Sequence, residues 1–498
     1  MNTLDLATWQ ERARAVKLRH QAFINGRFVD AQGGQTFATI NPATGQKLAD
    51  VAACQSSDVD AAVTAARQAF ESGVWSRQHP RDRKRVLLRL AALIEQHSEE
   101  LALLESLDMG KPISDALAYD LPETVKCFAW YGEAIDKQYD EIAPTGPETL
   151  ATITREPVGV VVAVVPWNYP LMMASWKIAP ALAAGNSVLL KPAEQSPLSA
   201  LRLAELAAEA GLPAGVFNVL PGLGPVTGQA LGLHMDVDCL AFTGSTATGK
   251  RFMAYSSQSN LKRVWLECGG KSPHIVFDDC PDLEKAAQAA AVGIFSNQGE
   301  VCIAGSRLYV QNGIYDTFME KVAQFAQGMQ PGDPLDPSTT MGAIVDEAQM
   351  RNVLGYIESG LIEGATLRTG GGQTRLATGG FYVEPTIFDC PRQTMRIVNE
   401  EIFGPVLTAQ RFDTEDEAVA LANDSIYGLG AGLWTAQLGR AHRVARRLRA
   451  GLVWVNCYFD GDISVPFGGV KQSGFGRDKS LHALDKYCDL KTTWINLL

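Results

Sequence analysis

Between residues 158 and 254 the chain alternates short apolar runs, each closed by Gly, Pro or Asn, with segments of helix length. An apolar run of about four to eight residues reads as a strand buried on both faces, and parallel strands need a helix to carry the chain back between them. The pattern predicts strands over 158–165, 187–190, 217–220 and 238–242, with helices over 171–184 and 198–210, the latter stopped by Gly211. The expected fold class is α/β, a Rossmann-type parallel sheet with helices on both faces. Helices over 59–73 and 81–108 mix acids and bases on their polar sides and are expected to cover that sheet.

After Gly270 the alternation restarts, with strands at 274–277 and 307–310 and helices at 282–296 and 314–329, which predicts a second α/β domain. A chain of 498 residues is beyond the size at which one core stops growing. The expected division is a first α/β domain from 1–137 and 157–267, a second at 268–478, and a small β extension from 138–156 and 479–498. Within that extension 148–154 and 487–498 are strand-like, and exposed strand edges invite pairing between subunits.

Composition closes several doors. The net charge of −11 with 20% charged residues disfavours polyanions, and the basic stretch 440–449 has the spacing of a solvated helix face, so no nucleic-acid partner is expected. The longest apolar run is far short of the roughly 20 residues of a membrane helix, and residues 1–20 mix charges where a signal peptide would be apolar. A cytoplasmic protein with no membrane partner is expected. Nine cysteines, at 54, 127, 239, 268, 280, 302, 390, 457 and 488, include no CxxC pair and no His-rich spacing. Neither a disulfide framework nor a metal site is predicted.

One of those cysteines has a frame of its own. Cys302 lies within Asn297-Gln298-Gly299-Glu300-Val301-Cys302-Ile303-Ala304-Gly305-Ser306-Arg307, polar and glycine-rich around the thiol as suits a nucleophile. Upstream, Glu267 stands between an apolar strand and Gly269-Gly270, a candidate base for the same pocket. Its neighbour Cys268 lacks such a frame and reads as a buried, inert thiol. Asn168, inside Pro166-Trp167-Asn168-Tyr169-Pro170, is placed either to donate to a developing oxyanion or to bond the turn backbone. Phe242-Thr243-Gly244-Ser245 follows a strand and opens a helix, where backbone N–H groups can hold a phosphate or simply form a turn. Glu194, after Lys191, reads as a ribose acceptor hostile to a 2′-phosphate or as an acid at a helix start.

Together Glu267 with CGGK, Cys302 within GEVC, Trp167-Asn168, KPAE at 191–194, FTGS at 242–245, EEIFGP at 400–405 and PFGG at 466–469 resemble the NAD(P)-dependent aldehyde dehydrogenase superfamily, in order and over nearly the whole chain. The resemblance implies Cys302 as nucleophile, Glu267 as general base, and Asn168 with the Cys302 backbone N–H as oxyanion hole. It implies NAD as cofactor, with Lys191 and Glu194 at the adenosine ribose, Ser245 at the pyrophosphate, Glu401 at the nicotinamide ribose and Phe403 beside the nicotinamide. Pro166, Trp167, Gly224 and Gly244 complete the implied cofactor set. Cys302 would attack an aldehyde, pass hydride to NAD, and leave a thioester for hydrolysis by water that Glu267 deprotonates. Asp478 stands where many relatives carry Glu in a proton relay, so no catalytic role is assigned to it.

For the substrate, Trp454, Tyr458, Asp460 and Asp462 place aromatics beside acids, which suits a cationic or amide-bearing chain. Asp120 and Glu123 resemble acids of aminoaldehyde dehydrogenases, and Tyr169 and Trp176 are candidates for the wall; alternatively these aromatics are core and Asp120 braces a helix. Residues 469–486 look like the γ-glutamyl-γ-aminobutyraldehyde and aminoaldehyde branch of polyamine catabolism. The expected substrates are ω-amino, guanidino or γ-glutamylamino butyraldehydes and 3-aminopropanal, with betaine aldehyde or aliphatic aldehydes as the alternative. A non-catalytic NAD-binding relative, or acyl transfer to CoA, fits less well with Cys302, Glu267 and Asn168 all present. A homo-oligomer, dimer or dimer of dimers, is expected from the terminal strands.

Overall fold

The computed structural model describes residues 4–498, and in it the expected alternation builds two parallel sheets. In the first, five strands run parallel in the order Phe217–Val219, Ser187–Lys191, Val160–Val164, Cys239–Thr243, Arg263–Glu267. The three central strands are buried along their whole length, as parallel strands covered on both faces must be. From Val160–Val164 the chain builds outward on one side, then returns to add Cys239–Thr243 on the other. Those two neighbours mark the reversal of strand order, beside whose carboxyl ends open α/β sheets bind ligands.

The second sheet runs Thr386–Asp389, Val406–Phe412, Arg307–Gln311, Pro273–Val276, Gly430–Trp434, Leu452–Val455, all parallel. Thr366–Thr369 adds an antiparallel edge. The link from Glu267 to Pro273 leaves the carboxyl end of one sheet and enters the amino end of the other. The loops carrying Cys302 and Phe403 likewise enter strands of the second sheet at their amino ends. Between these two edges lies the site.

Four expectations change. Gly474–Phe475, assigned to the second domain, pairs antiparallel with Leu266–Glu267 and closes the edge of the first sheet. The helix expected over 81–108 is two, Pro80–Gln96 and Ser98–Met109, because His97 leaves helical geometry and Glu99 and Glu100 form a new acidic first turn. Of the helices expected on the sheet, Ser56–Ser72 packs there, whereas Pro80–Gln96 lies mainly on helices Leu121–Ala134 and Leu198–Ala210. Finally, the strands of the β extension pair with each other within the chain, Thr149–Pro157 against Cys488–Asn496. The outer edges of the tail strand and of the short strand Glu141–Ile142, which pairs on the far side of Thr149–Pro157, stay open.

Candidate active site

Cys302 is held by a loop that no relaxed chain would adopt. Helix Leu283–Phe295 ends, and Asn297, Gln298 and Gly299 follow with φ of 48°, 58° and 74°. Left-handed non-glycine residues persist only where surroundings over-determine them, and here they do. Asn297 Nδ2 donates to the carbonyls of Asn168 (3.3 Å) and Glu300 (3.2 Å). Gln298 accepts from Gly342 N (2.8 Å) and Glu300 from Val345 N (3.1 Å). On the other side, a Cβ on Gly270 would collide with the Cys302 carbonyl and one on Gly269 with the Glu401 carboxylate. The double glycine is therefore a close-approach requirement, serving the nucleophile and Glu401 at once.

The Cys302 thiol is half-buried, and burial followed by the charges of Glu401 and Glu267 pushes it up to about 12, against the pull of the Cys302 and Ile303 backbone N–H groups. Cys268 is raised to about 12 as well, first by burial. Acidity thus does not separate the two thiols; partial exposure and the paired N–H groups at Cys302 do. Asn168 is buried, and its Nδ2 donates to the Glu300 carbonyl at 2.8 Å, so one N–H is fixed and the second is left over. It serves the turn and keeps a free donor.

Glu267 is buried, and among the described residues neither oxygen has a hydrogen-bond partner. Burial, then the charge of Asp478, raises its carboxyl well above the ordinary value. The side chain does not form part of the cavity wall around Cys302. It turns toward Gly468, where an added Cβ would come 2.6 Å from Oε1. Asp478 is buried between two lysines that sequence reasoning did not single out, accepting from Lys177 at 2.8 Å and from Lys486. Burial alone would raise it, but those ammonium groups hold it below its usual value.

The cavity holding Cys302 has a volume of about 750 Å3. One half lies at the reversal of strand order, with Pro166 and Trp167 after one strand and Thr243, Gly244 and Ser245 after its neighbour. Ser245 caps helix Thr246–Gln258, and the Thr243 hydroxyl is buried without a partner among the described residues. Trp167 and Phe403 meet edge to face at 5.2 Å, with Phe403 at φ 56° and its carbonyl accepting from Gln349 Nε2 at 2.7 Å. Glu401 spends Oε1 on Gly270 N (2.8 Å) and is raised to about 7 by burial, against that bond and the charge of Lys271. Lys191 and Glu194 pair at 3.0 Å, beside Gly224 but off the wall of this cavity. Although burial opposes it, Lys191 and the Gly224 N–H hold Glu194 below its usual value.

The other half is lined by Asp120, Glu123, Tyr169, Trp176, Trp454 and Asp460, together with Tyr119, Met172, Met173, Phe459, Phe467 and Lys479. Three expectations need correction. Asp120 is not a free acid at the mouth: it is buried, ion-paired with buried Lys111, and its backbone carbonyl accepts from Thr124 at 2.7 Å. Tyr458 is off the wall, with its hydroxyl on the Ile303 carbonyl (2.8 Å) and its ring stacked on His274. Asp462 is also off it, exposed and paired with Lys126 at 2.8 Å, which with Ser464 holds it far below its usual value. Among the described residues no cluster of His, Cys, Asp and Glu could hold a metal, and no helix is long and apolar enough to cross a membrane.

The aldehyde dehydrogenase family profile matches residues 28–493. The chain is 54% identical over 497 residues to the NADP/NAD-dependent aldehyde dehydrogenase PuuC of Escherichia coli (strain K12), covering all of both chains. Two solved structures share 58% identity over 99% of this chain and 100% of theirs. They are the P. syringae indole-3-acetaldehyde dehydrogenase AldA in complex with NAD+, at a TM-score of 0.99, and the γ-glutamyl-γ-aminobutyraldehyde dehydrogenase of Burkholderia cenocepacia J2315, at 0.98. With the profile spanning most of its length and these identities running end to end, the chain belongs to the aldehyde dehydrogenase family and is an aldehyde dehydrogenase.

Proposed function

We propose that the chain oxidises amino, guanidino or γ-glutamylamino aldehydes of polyamine breakdown to carboxylic acids, with NAD as cofactor and a covalent adduct on Cys302. The observation that carries this reading is the position of Cys302 in one cavity, between a half built for a nucleotide and a half walled by acids and aromatics. Cys302 releases its thiol proton to solvent, and the thiolate Sγ adds to the aldehyde carbon, moving the charge onto the former carbonyl oxygen. The resulting alkoxide faces the spare Asn168 N–H and the Cys302 backbone N–H, donors worth roughly 3 kcal/mol each when the oxygen becomes charged. When bound, NAD takes up the hydride that leaves the substrate carbon. Glu267, untethered and raised by burial, turns about its side-chain bonds to deprotonate the water that cleaves the thioester, releasing acid and free thiol.

The residues fit the cofactor. The unpartnered Thr243 hydroxyl and the capped helix start at Ser245 suit a pyrophosphate. Glu401 keeps one oxygen for a ribose, and Trp167 and Phe403 offer aromatic faces. Glu194 accepts from ribose hydroxyls and disfavours a 2′-phosphate, which supports NAD over NADP. We place the cofactor domain at 1–137 and 157–267, with Gly474–Phe475 on the edge of its sheet, and the catalytic domain over the rest of 268–478. The open edge of Cys488–Asn496, with Leu490 and Trp494 exposed by 66% and 63%, supports a dimer or a dimer of dimers, homotetrameric in the latter case. Nine free cysteines support the cytoplasm.

The test is a panel of aldehydes followed by NADH absorbance, with NAD and NADP in parallel. Amino, guanidino or γ-glutamylamino aldehydes should give the highest kcat/KM, and NAD should exceed NADP. Hexanal outperforming all of them would remove the substrate reading.

A further inference from the structure

Lys479 is the one basic side chain on the cavity wall among the described residues. It is 8% exposed, and among the described residues its ammonium is in no ion pair within 4.0 Å and no hydrogen bond. The acids around it are committed elsewhere: Asp120 to Lys111, Glu123 at 3.5 Å to Lys126, and Asp462 at 2.8 Å to the same lysine. Lys479 Nζ instead lies 5.5 Å from the Trp176 ring centroid and beside Gly461, 3.7 Å from where a Cβ on that glycine would sit. Burial pulls its pKa down, and the charges of Glu123 and Asp462 oppose this.

The backbone presents this side chain at a cost. Lys479 and Ser480 both have positive φ, 61° and 52°, a conformation kept only when neighbours impose it. They do so here: Asp478 exchanges two 2.8 Å backbone bonds with Phe467, Ser480 N donates to the Ile463 carbonyl at 2.7 Å, and the Tyr131 hydroxyl donates to the Ser480 carbonyl at 3.0 Å. An ammonium buried without a counter-ion is unfavourable until an anion arrives.

We infer that Lys479 reads a carboxylate at the far end of the aldehyde, so the preferred substrate carries an anionic group there. An ammonium on the same substrate is received by Asp460 and the aromatic walls. The inference rests on the substrate reading above and narrows it: among the aldehydes proposed there, a γ-glutamylamino aldehyde, with both charges, fits this mouth better than one whose far end is only cationic.

The experiment measures kcat/KM of wild type, Lys479→Met and Lys479→Arg with γ-glutamylaminobutyraldehyde, succinic semialdehyde and butanal. In Lys479→Met the ratio of either carboxylate-bearing aldehyde to butanal should fall roughly tenfold or more, mainly through KM, as loss of a charge-assisted bond predicts. Lys479→Arg should retain most of the ratio. A smaller fall, or an equal loss on all three aldehydes, overturns the inference. The two readings fail separately: hexanal leading the wild-type panel sinks the aminoaldehyde assignment, while the succinic semialdehyde to butanal ratio still decides the role of Lys479.

Discussion

The two halves of the cavity are built by different means. On the nucleotide side, position is set by backbone: a strand-order reversal, glycines where a Cβ would collide, a carboxylate tied to a main-chain N–H. On the aldehyde side it is set by side chains from segments far apart in sequence, at 119–123, 169–176, 454–467 and 479. Backbone-built recognition tolerates little change at few positions, whereas side-chain-built recognition can be retuned residue by residue. Cys302, where the halves meet, should be the one position whose loss stops the reaction while leaving each half able to bind.

Cys302→Ala should lower kcat by roughly 10^4-fold or more, as removal of a nucleophile does, while NAD still binds by calorimetry. Loss of NAD binding as well would mean the halves are not separable. Next in size, Gly269→Ala forces the Glu401 carboxylate aside and should raise the NAD Kd by about tenfold, an overpacking cost of about 1–3 kcal/mol. Unaltered NAD affinity would break the claim that the glycine serves Glu401.

The thiol state offers a third check. Because Cys302 is raised to about 12, its thiolate fraction grows about tenfold per pH unit below that value. Alkylation of Cys302 by iodoacetamide, followed by mass spectrometry, should therefore climb from pH 6 to 9 without a plateau. A plateau near neutrality would show a thiolate stabilised by groups other than those described. Smallest of all, Asp460→Asn on the exposed rim should cost aminoaldehydes about two- to threefold in kcat/KM and less at high salt, since exposed charges are screened. A tenfold loss there would place the ammonium contact at the rim, not deeper.

Legibility in the sequence follows the same division. Buried parallel strands must be continuous apolar runs, so four strands at the heart of the first sheet could be read to within a residue or two, as with Cys239–Thr243 against an expected 238–242. Its antiparallel edge strands Ala22–Ile24, Arg27–Val29 and Gly474–Phe475 could not. The glycine-framed Cys302 and the Glu267-to-Gly270 run were visible because close approach demands glycine. The aldehyde half was less so. Asp120 looked like a free acid because nothing local reveals that Lys111 neutralises it, and Tyr458 looked like a wall residue because its stacking partner His274 is far along the chain. Lys479 gave no local signal, sitting between Asp478 and Ser480 as one more lysine. Its meaning comes only from the partners that tertiary structure withholds from it.

The most direct measurement of the covalent mechanism uses Glu267→Gln. Mixed with aldehyde and NAD, this variant should give a burst of about one NADH per active site and then stall, because its thioester lacks the base for hydrolysis. Intact-protein mass spectrometry at the stall should show the acyl adduct, with peptide mapping placing it on Cys302. NADH formed at multiple turnovers with Cys302 unmodified would contradict the account.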